Sequence, residues 1–256
     1  MGRYVSGGSA NQPRRLIVQV PVSNPSIPVP VWAQNGKSIV EVTGCGAGAS
    51  GSVGDMSSSA VGGGAGANAL RFPMIIPAGV TSLAALIGVG GPAVTAAAKT
   101  PGNLGGATTL TVGAITLRLN GGGNNRVYGG SNDYTHGDGG VPTVGSNDGL
   151  VNQPAGPSLS FLRDYTRASG YAGPASALSC GADGGTGTQS GGYSNGGISP
   201  WGSAPIRQTS PPAGQNGASA TGYGAGGQAA VWSSGAAVSS GAGVDGFLTL
   251  EFIEGN

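Results

Sequence analysis

The chain has 256 residues, of which 54 are glycine; charged residues make up 8% and the net charge is +1. Glycine at about three times its usual share, with so little charge, fits neither an ordinary globular domain nor a charged disordered tail. Lys37 and Lys99 are the only lysines and Arg14 with Arg15 the only adjacent basic pair, so no clustered positive surface exists and nucleic acid is excluded as a partner.

Ordering each residue costs about 1–2 kcal/mol of backbone entropy, with glycine at the upper end. Few large apolar groups are present to offset that loss, so dense main-chain hydrogen bonding, neighbouring copies of the chain, or both must do so. An oligomer is expected. Residues 1–10 lack a charged stretch followed by an apolar run, and no stretch approaches 18 uninterrupted apolar residues, so neither a secretory signal nor a membrane span is expected.

In chain order, residues 1–32 read as an extended N-terminal attachment arm. Residues 15–20 have β propensity, and Pro21, Pro25, Pro28 and Pro30 then impose a polyproline-like path. Residues 33–120 read as a β-strand frame. A β-branched strand at 38–43 ends at Gly44; the next, at 70–76, contains Pro73, which favours an edge or a bulge. A turn at 77–80 leads to a strand at 81–89, and residues 108–112 and 114–119 form a hairpin around Gly113. Ile115, Leu117 and Leu119 alternate with Thr116 and Arg118, which predicts one buried face. Helix signals are confined to 93–99 and 158–168.

Residues 121–245 form a glycine-rich display region with little aliphatic core, and residues 246–256 close the chain with a strand. In that strand Phe247, Leu248, Thr249, Leu250, Glu251, Phe252 and Ile253 alternate again, and the strand must pair with early ones to complete a sheet. Glycines three apart, the spacing of packed polyproline-II helices, occur at Gly48, Gly51 and Gly54 and at Gly181, Gly184 and Gly187. Across the display region the spacing is no commoner than chance placement gives, so packed polyproline-II helices and close-turning loops both remain open. The expected fold is mainly β, with a small β-sandwich-like frame enclosing a glycine-rich, loop or polyproline-II-like region and little helix.

Catalytic and metal chemistry find no constellation. His136, the single histidine, has Asp133 and Asp138 nearby, which falls short of a metal-ligand set and reads as a loop tip. Asp148, Asp164 and Asp183 cannot be paired as a glycosidase couple from sequence, and no glycine-rich loop has the strand, helix and lysine that phosphate binding requires. No enzyme activity, metal or cofactor is expected. Cys45 and Cys180 stand among small residues, where a thiol behaves as a compact buried group, and a bridge between them is left open.

Binding has better support. Tyr128, Tyr134, Tyr171, Tyr193, Trp201, Tyr223 and Trp232 stand singly among small residues, where a ring can stack on a sugar face or anchor a protein contact with little entropy loss. Trp232, near the final strand, and Tyr165 are the rings best placed to fill a small core instead. Arg126, Arg163, Arg167 and Arg207 could anchor a receptor carboxylate or phosphate. The candidate receptor-binding residues are Tyr128, Tyr134, His136, Tyr171, Tyr193, Trp201, Arg207 and Tyr223.

Three stretches carry a family likeness: Val40-Glu41-Val42-Thr43-Gly44-Cys45-Gly46-Ala47-Gly48, Ile76-Pro77-Ala78-Gly79-Val80-Thr81-Ser82-Leu83, and Gly241-Ala242-Gly243-Val244-Asp245-Gly246-Phe247-Leu248. Together they resemble the glycine-rich domain of bacteriophage tail-fibre and tail-tip receptor-binding proteins, over residues 33–256. The long polar stretch at 124–167 departs from that pattern. The resemblance implies a homotrimeric, distal part of a virion tail, assembled in the host cytoplasm. It would contact other phage tail proteins through its N-terminal arm and bind a bacterial surface receptor, either a polysaccharide or an outer-membrane protein. A purely structural tail component, connecting or capping other tail proteins, is the alternative.

Overall fold

A computed structural model describes residues 3–5, 13–55, 60–123, 137–146, 149–152, 178–179, 181, 184, 195–205, 214–233 and 235–255. Two six-stranded antiparallel sheets form its frame. The first has the order β1 (Arg3–Val5), β2 (Arg15–Val20), β18 (Phe247–Ile253), β4 (Ile39–Cys45), β6 (Asn68–Ile75) and β13 (Leu178–Ser179). The second runs β12 (Gly149–Asn152), β11 (Pro142–Ser146), β10 (Ile115–Leu119), β9 (Thr108–Val112), β7 (Ser82–Leu86) and β3 (Asn24–Pro28). Three two-stranded ladders complete the description: β5 (Val53–Asp55) with β16 (Ala230–Trp232), β8 (Thr95–Ala96) with β17 (Val238–Ser239), and β14 (Gly202–Ser203) with β15 (Thr221–Gly222).

Period-two alternation builds the sandwich. Leu248, Leu250 and Phe252 of β18 and Val40 and Val42 of β4 point inward from the first sheet. They share one core with Leu83, Leu110, Val112, Leu117 and Leu119 of the second. The closing strand lies inside its sheet, Leu250 standing opposite both Val18 and Val42. Gly113 turns the β9–β10 hairpin with φ +61°, a left-handed conformation that a side chain would strain. Ile115, expected on the buried face, is 41% exposed because it begins β10 beside that turn. Pro73 lies on the stretch of β6 beyond its two-residue pairing with β13, and the β4–β6 register slips between Val42 and Gly44, so both an edge and a bulge are present.

Residues 15–28, which fall within the stretch read from sequence as an extended arm, supply β2 and β3. Leu16 and Val18 pack against the core, Val20 and Ile27 are buried in it, and the prolines of β3 fall on an edge strand, where a missing N–H costs no ladder bond. The 93–99 segment, expected as a short helix, instead contains the two-residue strand β8 at Thr95–Ala96. The amide of Ser240 donates to the carbonyl of Val94 and that of Val94 to Ser240 Oγ, and this pairing overrides alanine's helical preference. Among the described residues the one helical element is a single 3-10 turn at Val31–Ala33. The 158–168 segment lies outside the described residues.

Beyond the sandwich, the glycine-rich chain packs as side-by-side threads, and the paired threads below run antiparallel to each other. From 46 to 53 every amide donates to a neighbouring thread, and the recipient changes in strict rotation. Gly46, Ala49 and Ser52 donate to the carbonyls of Ala67, Gly64 and Val61; Ala47, Ser50 and Val53 to those of Gly106, Asn103 and Thr100; Gly48 and Gly51 to those of Val244 and Gly241, all at 2.9–3.0 Å. A donor direction that returns every third residue is the signature of a polyproline-II-like thread, which has three residues per turn and no internal hydrogen bonds. The surrounding threads repeat the pattern. Gly63 and Gly66 donate to Gly227 and Gly224; Ser240, Gly243 and Gly246 to Val94, Gly91 and Gly88; Gly181 and Gly184 to Gly140 and Gly137. Threads from before and after residue 121 therefore lie side by side.

Glycine is required by this spacing rather than by backbone flexibility. A Cβ on Gly48 would stand 1.9 Å from the carbonyl oxygen of Ala225, one on Gly51 2.1 Å from that of Gln228, and one on Gly63 2.1 Å from that of Ala49. Alanine fits where a thread leaves room, as at the fully buried Ala47 and Ala49. Gln228 is fully buried too; its Oε1 accepts the Ala218 amide at 3.1 Å and its Nε2 donates to Asn195 Oδ1 at 3.3 Å, so its amide group continues the peptide network. The dense main-chain bonding expected from composition is thus met within one chain.

Candidate functional site

Where the glycine lattice meets the first sheet, three aromatic rings converge. Phe247 opens β18 and faces away from the core because Leu248 faces into it. The Trp201 ring stands edge-on to it, with centroids 5.2 Å apart and planes at 80°, and the Tyr223 ring lies 4.8 Å away, tilted by 41°. Such offset and edge-on arrangements suit the quadrupoles of aromatic rings. Tyr223 is 42% exposed, while Trp201 and Phe247 are half-buried.

The β14–β15 ladder fixes the two outer rings. The amide of Tyr223 donates to the carbonyl of Trp201 at 3.1 Å, that of Trp201 to Ser199 Oγ at 3.2 Å, and the Ser199 hydroxyl to the carbonyl of Tyr223. Tyr223 sits between Gly222 and Gly224, which have φ values of +80° and +71°. Gly224 is doubly constrained, since a Cβ there would also meet Cys45 Sγ at 2.6 Å.

Down the outer face of β18 the ring cluster gives way to polar tiers. Thr249 is flanked by Gln19 of β2 and Thr43 of β4, and Glu251 by Ile17 and Glu41. The two glutamates stand directly opposite each other, an arrangement that repels. An arginine on each side offsets it: Arg15 Nη1 lies 3.1 Å from Glu251 Oε1, and Arg71 Nε 2.7 Å from Glu41 Oε2. The hydrogen bond and charge of Glu41 hold Arg71 still more firmly protonated than usual. Arg71 has φ +49°, the single positive value outside glycine among the described residues, and its amide donates to Thr43 Oγ1 at 3.1 Å.

Of the residues expected from sequence to bind, Trp201 and Tyr223 are brought together here. Tyr128, Tyr134, His136, Tyr171, Tyr193 and Arg207 lie outside the described residues, as do Tyr165, Arg126, Arg163 and Arg167. Trp232 packs on a small core of Val53, Ala230 and Val238. Sequence reading missed Phe247, although the alternation of β18 carries the signal: the parity that buries Leu248, Leu250 and Phe252 turns Phe247 outward. Among the described residues no group of three or more His, Cys, Asp or Glu side chains could hold a metal, and no helix is long and apolar enough to cross a membrane.

Cys45 is a free, fully buried thiol behind the cluster. Burial pushes it up from 9.0 to about 12, against a smaller opposing effect of the Phe247 backbone. Its stabilising contribution is full below pH 9.0, where the thiol is protonated in both folded and unfolded chains, and is lost as pH climbs toward about 12. Iodoacetamide at pH 8 is therefore expected to leave Cys45 unmodified in the native protein and to label it in denaturant, read by peptide mapping.

A β-sandwich extended by a hydrogen-bonded glycine lattice, with an aromatic cluster at their junction, defines a rigid glycine-rich scaffold. Residues 23–252 match the glycine-rich domain family, and the chain belongs to it. No curated protein matches the chain in sequence.

Proposed function

We propose that this chain is a non-enzymatic tail-tip or tail-fibre protein of a bacteriophage and binds a receptor on the host cell surface during adsorption. The observation that carries the reading is the outward-facing cluster of Trp201, Tyr223 and Phe247, anchored between a sheet and a lattice. A ring already held in place loses little freedom on binding, so more of its contact energy appears as affinity. The likeness of residues 33–256 to phage tail glycine-rich domains supplies the setting: a homotrimer in the virion tail, assembled in the host cytoplasm and joined to other tail proteins through its N-terminal segment. Three copies of a weak site at fixed spacing gain avidity without new contacts.

Labelled protein applied to a panel of bacterial strains is expected to coat at least one. Tyr223→Ala is expected to weaken that binding about thirtyfold, the effect of an aromatic hot spot worth about 2 kcal/mol. A purely structural tail component is the second reading, favoured by apolar side chains left on the surface, Val31 at 85%, Val89 at 71% and Leu104 at 58% exposed. Protein that enters assembled tails yet coats no strain supports that reading instead.

A further inference from the structure

We propose that the outer face of the first sheet, from Tyr223 down to Arg71, is a binding site for a neutral saccharide, an inference that rests on the receptor-binding reading and names its ligand class. Three tiers follow one another along β18: the rings around Phe247, the Gln19, Thr249 and Thr43 row, and the opposed Glu251 and Glu41. At about 3.4 Å per residue the tiers span about 14 Å, the scale of a short oligosaccharide lying along the strand.

Each tier matches one part of a sugar's surface. The negative face of an aromatic ring attracts the C–H face of a pyranose, and Tyr223 offers the most exposed ring of the cluster. Hydroxyl and amide side chains in the next row both donate and accept, as sugar hydroxyls do. The glutamates accept hydrogen bonds, and each carboxylate has capacity beyond the arginine it already holds. Arg71 keeps a backbone conformation that non-glycine residues rarely adopt, bonding Thr43 through its amide and Glu41 through its side chain. Strain held at one surface position is a mark of a site whose geometry is selected.

Charge selects a neutral ligand. Arg15 and Arg71 are both paired with glutamates on this face, so an anionic sugar would meet two carboxylates and compete for guanidinium groups already engaged. A protein partner is less well matched, because the face alternates rings, hydroxyls and ion pairs rather than presenting a continuous apolar centre.

The test uses labelled full-length protein on bacterial cells that bind it, with one sample treated with periodate, which cleaves the vicinal diols of saccharides, and another with protease. Periodate is expected to lower binding at least tenfold and protease to leave it intact. Tyr223→Ala and Thr249→Val are each expected to lower it at least tenfold, while Tyr223→Phe, which keeps the ring, retains it. Thr249→Val preserves a β-branched side chain on the strand, so its loss reports the hydroxyl rather than unfolding. Binding that resists periodate and falls to protease overturns the saccharide assignment and leaves the receptor reading standing. Periodate-sensitive binding that survives both Tyr223→Ala and Thr249→Val overturns this face as the site, and absence of binding to every strain overturns both readings.

Discussion

Replacing Gly48 with alanine is expected to destabilise the protein by about 3 kcal/mol or more, or to prevent folding outright. Overpacking a core costs about 1–3 kcal/mol when side chains can shift aside. Here the obstacle is main chain: the new Cβ would lie 1.9 Å from the Ala225 oxygen and 2.8 Å from the Gly226 nitrogen. Relief requires moving a thread whose own bonds, Gly227 to Ala49 and Val244 to Ala225, hold the lattice on either side. Gly123→Ala is the matched control. Its nearest neighbour, the Asp138 oxygen, is at 3.4 Å, an ordinary contact, so a change below about 1 kcal/mol is expected. In thermal denaturation the Gly48 variant should melt about 6–12 °C below the parent if it folds at all. Equal behaviour of the two variants would remove the lattice's steric basis.

Phe252→Ala is expected to cost about 3–5 kcal/mol, the range for emptying a buried aromatic site. Phe252 is fully buried on β18, opposite Leu16 on one side and Val40 on the other. A void there loosens both ladders of the strand that carries the aromatic cluster. Phe247→Ala, on the outer face of the same strand, removes a half-buried ring and should cost less than half as much while abolishing the ring contact with Tyr223. Chemical denaturation of the two variants separates the faces: a Phe247 effect equal to that of Phe252 would contradict the inward and outward assignment.

The sandwich was legible because alternation is a local signal. Leu248, Leu250 and Phe252 declare their shared face within seven residues, and Gly113 marks its hairpin by position alone. The lattice was harder to read. Gly48 with Gly51 and Gly181 with Gly184 are spaced three apart and do lie in threads. A count over 121–245 misses the pattern because the threads are short and out of phase, and because the central one lies before that region. Which residue of each turn must be glycine depends on the neighbouring carbonyl: Gly46, Gly48 and Gly51 face such contacts, whereas Ala47 and Ala49 do not. That information belongs to the packing.

The same distinction explains the candidate site. Trp201 and Tyr223 stood out as rings in small-residue surroundings, but their meeting with Phe247 depends on the β14–β15 ladder crossing the start of β18, a contact between residues more than twenty positions apart. Residues 15–28 show the same limit. Their prolines imply an extended path, which an edge strand satisfies as well as a free arm does, and nothing local distinguishes the two.

Residue-resolved amide hydrogen exchange along 46–53 tests the lattice most directly. Because each of these amides donates to a neighbouring thread, consecutive protection is predicted from Gly46 through Val53, at a level comparable with the β18 amides. Rapid exchange at Gly48 and Gly51, or protection at alternate positions as on one side of a sheet edge, would contradict it.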